Sequence, residues 1–214
     1  MNKEDEKKIL QCVKKIAKQN GYKVISNCIY KIDCNWVVYA VIWLNQINDD
    51  YSVVFRWCVK TMELDNIFWD VFDMSENKEK KLSLRITGAF CCPSYKFNEK
   101  AYIIENVEEI TDNINSIFDA NMKMVDDYVK YVRANYSDFL SYIVNQKDAD
   151  DLTKILAYIL MGKYKEVYKF VKNELKLGKT GGFENHGKDI YEFICKYCRR
   201  KARRTSGIFF RNSV

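Results

Sequence analysis

Residues 36–60 read WVVYAVIWLNQINDDYSVVFRWCVK. Two runs dense in β-branched and aromatic side chains flank a short polar break. In the second run, Tyr51–Lys60, alternation puts Val53, Phe55, Trp57 and Val59 on one face. Period two with that composition predicts strands. The break NQINDD is short enough for a hairpin. An antiparallel sheet with one face on a core is the expectation from which the rest of the chain is read.

Upstream, Tyr22–Ile32 alternates loosely and is separated from the first run by DCN, which predicts one more strand of a meander. Residues 3–19 space Ile9, Leu10, Val13, Ile16 and Ala17 as one helix face, and Asn20-Gly21 ends the pattern. Downstream, in Thr61–Met74, Leu64, Ile67, Phe68, Val71 and Phe72 recur at helical spacing, predicting a short helix crossing the sheet. SENKEKK reads as a solvated loop. Leu82–Phe90 (LSLRITGAF) reads as a fourth strand, CCPSYKF as a turn, and Ala101–Ile104 as a short edge strand.

From Val107 the period is helical. One long helix carries Ile110, Ile114, Ile117, Phe118, Met122, Val125, Tyr128, Val129 and Val132. Ser137–Val144, Ala149–Met161 and Lys163–Leu177 follow. A glycine-rich loop, GKTGGFENHG, precedes a last helix over Lys188–Arg204. Strands first and helices after define an α+β class. The expectation is an N-terminal helix, an antiparallel sheet of four to five strands with a crossing helix, then an all-helical segment. A sheet domain over 1–134 and a helical lobe over 135–214 packed on it is the expected division, or one continuous domain.

Gly21-Tyr22-Lys23, FRWCVKTMELDNIFWDVF at 55–72 and LSLRITGAF at 82–90 together resemble a group of uncharacterised bacterial α+β proteins known as domains of unknown function. The resemblance covers the first two-thirds of the chain. It rests on fold-forming residues, so it implies a fold and no chemistry.

The balance of 48% hydrophobic and 30% charged residues over 214 positions excludes disorder over most of the length. MNKEDEKKIL has no apolar leader, and the longest apolar run, Trp36–Leu44, is about half a membrane span. A soluble, cytoplasmic protein is expected. The eight cysteines are scattered through apolar segments. In a reducing compartment they act as small hydrophobes without structural disulfides.

The 35 Lys and Arg exceed the 29 Asp and Glu by six. Seven of the basic residues, and no acid, fall in 196–214, so the remaining chain carries 28 basic against 29 acidic residues. The surplus is in the tail. Lys196, Arg199, Arg200, Lys201, Arg203 and Arg204 are candidate polyanion contacts, suited to nucleic acid or to an anionic membrane surface. Cations near a helix C-terminus also complement its dipole. The apolar Ile208-Phe209-Phe210 is expected to dock on the domain or on a second subunit.

Cys195-Lys-Tyr-Cys198 is the sharpest local pattern. As a metal site it has too few partners: zinc takes four ligands, and the chain has one histidine, His186. Cys91 or Cys92 would complete a set only if the fold brought one of them near. A redox pair normally opens a helix, whereas this one lies inside it. Packing of the helix face is the plain alternative. Cys91-Cys92-Pro93 reads as a strand end with one thiol inward and one outward. Gly178–Gly182 lacks phosphate-loop spacing and reads as a helix-ending loop, with a backbone anion nest as the alternative.

His186 sits in a Gly/Asn loop with no catalytic partner in sequence. Asp65, Asp70 and Asp73 read as the polar face of their helix. Trp36, Trp43, Trp57 and Trp69, with Tyr39, Phe55 and Arg85, either pack the core or line a cleft between sheet and helix.

No catalytic residues and no cofactor are expected. The function expected first is binding of another macromolecule, with a protein partner or a second copy of the chain foremost. The alternative is contact with nucleic-acid phosphates through the basic C-terminal helix. A second alternative is thiol- or metal-dependent activity at Cys195, Cys198 and His186.

Overall fold

A computed structural model of the chain describes residues 3–47, 50–104, 110–147 and 149–209. Val107 and Phe210, used in the sequence reading, lie outside the described residues, as do the side chains of Arg204, Ile208 and Phe209. The architecture is α+β, and the chain divides into two compact units, Met1–Thr61 with Ser94–Tyr136, and Met62–Pro93 with Ser137–Val214.

The first unit holds helix α1 (Lys3–Gln19), strands β1 (Lys23–Ile25), β2 (Cys28–Asp33), β3 (Trp36–Ile47), β4 (Asp50–Thr61) and β5 (Tyr95–Ile104), and helix α4 (Ile110–Ala134). The strands form one antiparallel meander in sequence order. Val53, Phe55, Trp57 and Val59 are fully buried, the face the alternation predicted, but the opposite face of β4 is buried too at Ser52, Val54, Cys58 and Lys60, so the strand is not covered on one side only. α1 buries Ile9, Val13, Ile16 and Ala17, and α4 buries Ile114, Phe118, Val125 and Val132. Phe118 meets Phe55 and Tyr22 edge-on. Within this core the Asn121 Oδ1 accepts from Trp57 Nε1 at 2.8 Å, while its Nδ2 donates to the Tyr102 hydroxyl and the Ile117 carbonyl.

Two strand readings change. Tyr22–Ile32 is two strands, because Ser26 takes a φ of 50° and turns the chain so that Ile25 pairs with Cys28. The expected short edge strand is ten residues long and pairs with β4 across a register shift at Trp57/Cys58.

The second unit holds α2 (Met62–Val71), α3 (Leu84–Thr87), α5 (Tyr136–Asn145), α6 (Asp151–Leu160), α7 (Tyr164–Lys176), the two-stranded β6 (Glu184–Asn185) and β7 (Lys188–Asp189), and α8 (Ile190–Phe209). α2 packs on α6 and α8, and α7 packs along α8. Part of the supposed solvated loop, Ser75–Glu79, is a 3-10 turn that buries Asn77.

Leu82–Phe90 is not a strand. Its centre is the one-turn helix α3, and Gly88 closes it by donating to the Leu84 carbonyl. Arg85 is drawn inward, 3% exposed, 3.5 Å from the fully buried Asp65 and stacked 4.6 Å over the Trp69 ring. It also donates to the Met62 carbonyl and to Asn66 Oδ1. Asp65 therefore leaves the polar helix face expected of it; its Oδ1 accepts from the Cys92 amide at 2.9 Å. Asp70 holds Lys78 and Ser75. Asp73 is exposed with a φ of 56°.

Cys91-Cys92-Pro93 is likewise no strand end. Cys92 is buried beside Asp65, and the Pro93 carbonyl accepts from Thr153 Oγ1. Phe55, Trp57 and Trp69 are core residues, Trp36 packs edge-on to Tyr136, and Trp43 lies beneath Arg56. None of the eight cysteines is joined in a disulfide.

Candidate polyanion groove

The residues that build the candidate site begin with the apolar stripe of α8. Ile190, Phe193, Ile194, Tyr197 and Cys198 recur at three- and four-residue spacing and are buried. α7 contributes Val167 and Val171. Burying these stripes leaves the polar flanks of both helices lining a groove.

The glycine-rich loop fixes how α8 begins. The Asp189 carboxylate accepts from the Gly181 amide at 3.0 and 3.1 Å and from the Tyr191 amide at 2.8 Å. It caps α8 and ties the Gly181 amide of the loop to the start of that helix. A Cβ on Gly181 would meet Ile190 at 2.3 Å, so the close approach requires glycine.

Along the flank of α8 lies an open groove of about 740 Å³, lined by Tyr168 and Lys172 of α7 and by Cys195, Lys196, Arg199, Arg200 and Arg203 of α8. Four of the six predicted polyanion contacts line it. Lys201 turns to the Tyr197 ring at 5.4 Å, with the charge of Asp70 nearby. Arg200 also lies over the Tyr197 ring, at 5.5 Å from its centroid. Among the described residues, the lining holds no acid. Lys196 lies 3.8 Å from Asp73, both largely exposed, so that pair is weak.

Lys172 and Tyr168 were not singled out by the sequence reading. Their signal was present. From 163 to 204 the chain carries thirteen Lys and Arg against five Asp and Glu. The basic stretch starts with α7, a whole helix and a loop earlier than the tail alone suggests.

The thiols sit differently. Burial pushes the Cys198 thiol up to about 12, with Cys195 adding to the rise. Burial also raises Cys195, opposed by Lys172. Thiols held neutral in this way are poor nucleophiles and poor metal ligands at neutral pH. His186, with a φ of 49° followed by Gly187 at 70°, forms the tip of the β6–β7 hairpin, a type I′ pattern. It lines a second depression with Asp73, Lys188, Glu192, Phe193 and Lys196, the last shared with the groove. His186 and the two cysteines are not gathered into one site. Among the described residues, no group of three or more His, Cys, Asp or Glu side chains could hold a metal ion, and no helix is long and apolar enough to cross a membrane.

No protein-family model matches the chain, and neither does any curated protein or solved structure at a significant level.

Proposed function

We propose that the protein binds nucleic acid through the phosphates, using the groove between α7 and α8. The observation that carries this reading is the convergence of five cations, Lys172, Lys196, Arg199, Arg200 and Arg203, on one open groove with no acid in its described lining. Helix capping does not account for the cations of α8, because the helix runs on to Phe209 and its last turn holds no base. Nor does it account for Lys172, which comes from the neighbouring helix. A protein partner fits less well, because the centres of protein–protein interfaces are depleted in charge.

The test is fluorescence polarisation with labelled RNA and DNA oligonucleotides at two salt concentrations. Wild type is compared with the Arg199→Gln, Arg200→Gln, Arg203→Gln triple variant. Binding that weakens steeply with salt in the wild type and is lost in the variant is the expected result. Equal signals from both proteins at both salts would return the arginines to a structural role.

A further inference from the structure

We propose that the groove takes a single strand, with successive phosphates along α8 and a base stacked on Tyr168. This rests on the nucleic-acid reading and narrows it.

Three observations favour a single strand over a duplex. The cations stand on both walls, Lys172 on α7 and the others on α8, so the ligand lies in the groove and does not rest on one rim. Helices packed side by side have axes about 8–10 Å apart, which leaves a trough wide enough for one strand and too narrow for a double helix. Next, Lys196 and Arg200 form one row on α8 and Arg199 and Arg203 another. Each pair is one helical turn apart, a rise of about 6 Å. Charges repeated along the trough match a ligand whose charges repeat along a chain; a lone phosphate would use only one step of the row. Finally, the lining includes the Tyr168 ring, with the Lys172 ammonium 5.5 Å from its centroid. A cationic groove that tracks a backbone beside an aromatic platform is the arrangement by which single strands are held without sequence preference.

The experiment uses the full chain and three labelled probes: oligouridine, oligothymidine, and a duplex of the same length. Unlabelled mononucleotide serves as competitor. The single strands should bind about tenfold or more tighter than the duplex, and Tyr168→Leu should weaken them by about fivefold to a hundredfold. Tyr168→Phe, which keeps the ring, should bind as wild type does. Lys172→Gln should lower the salt slope by about one without changing the preference for single strands. Far-ultraviolet circular dichroism confirms that each variant is folded.

Duplex binding as tight as single-strand binding, or a Tyr168→Leu variant that binds normally while the triple-arginine variant fails, would overturn this inference and leave the nucleic-acid reading standing. So would mononucleotide competing as well as the oligonucleotide. Absence of binding to all three probes would remove both.

Discussion

Asn121 is 1% exposed and satisfies three partners at once, the Trp57 indole, the Tyr102 hydroxyl and the Ile117 carbonyl. Asn121→Leu would strand the buried indole N–H. The expected cost is about 1–3 kcal/mol, seen as a lower urea midpoint with unchanged slope. Adding Trp57→Phe removes the stranded donor, so the double variant should lose less than the two single losses combined. Strict additivity would show that the hydrogen bond is not the source of the loss. The sequence hid this residue because the apolar stripe of α4 can be read without it. A buried amide in such a stripe carries no periodic signal, and its value lies in partners distant along the chain.

The elements show where period alone succeeds and where it fails. α1 and the β3–β4 pair follow from spacing, since α1 buries one apolar stripe and β4 carries Val53, Phe55, Trp57 and Val59 in unbroken alternation. Leu82–Phe90 fails because its alternation of Leu, Leu and Ile with Ser, Arg and Thr imitates a strand. What overrides it is tertiary: Arg85 is drawn to Asp65 and Trp69, and a single turn of helix delivers it there. β5 extends beyond what its pattern suggests for the opposite reason. It lies at the sheet edge, where Lys96, Glu99 and Lys100 stay in solvent and dilute the pattern, and edge charges of this kind also discourage pairing with other chains. Breaking the Arg85–Asp65 pair from one side leaves a buried charge uncompensated. Arg85→Leu should therefore cost about 3–5 kcal/mol, measured by denaturant unfolding. Arg85→Met combined with Asp65→Asn should recover part of it. A loss below 1 kcal/mol for Arg85→Leu would mean that solvent reaches the pair.

At the scale of the whole molecule, both units carry acidic protons held by burial. Burial raises the Cys58 thiol to about 11, against the Tyr39 hydrogen bond and Arg56, in the first unit. In the second, burial lifts Cys198 and Tyr197 each to about 12. In the unfolded chain these groups release their protons at lower pH, so the folded state binds more protons as pH rises. Stability is fully present below about pH 9 and declines between about pH 9 and pH 12. A melting temperature that is flat from neutral pH to pH 8.5 and falls steadily above it is the expected profile. Cys198→Ala should flatten the decline, and an identical slope in that variant would assign the alkaline loss to other groups. The basic groove was only half legible at this scale. Counting charge for the tail and the body separately masked α7, whose lysines are balanced by acids elsewhere in the sequence and become a surface only when α7 lies along α8.

The second unit is assembled from two lengths of chain, Met62–Pro93 and Ser137–Val214, with the strand β5 and helix α4 coming between them. This has a consequence for biosynthesis. Leu64, Phe68, Trp69 and Phe72 leave the ribosome well before α6 and α8, the helices on which α2 packs. At about 5–20 residues per second the interval is on the order of ten seconds. During that time only the segment through Phe90, with Arg85 over Trp69, can shield this aromatic face, and the late-emerging helices decide when the remaining exposure ends.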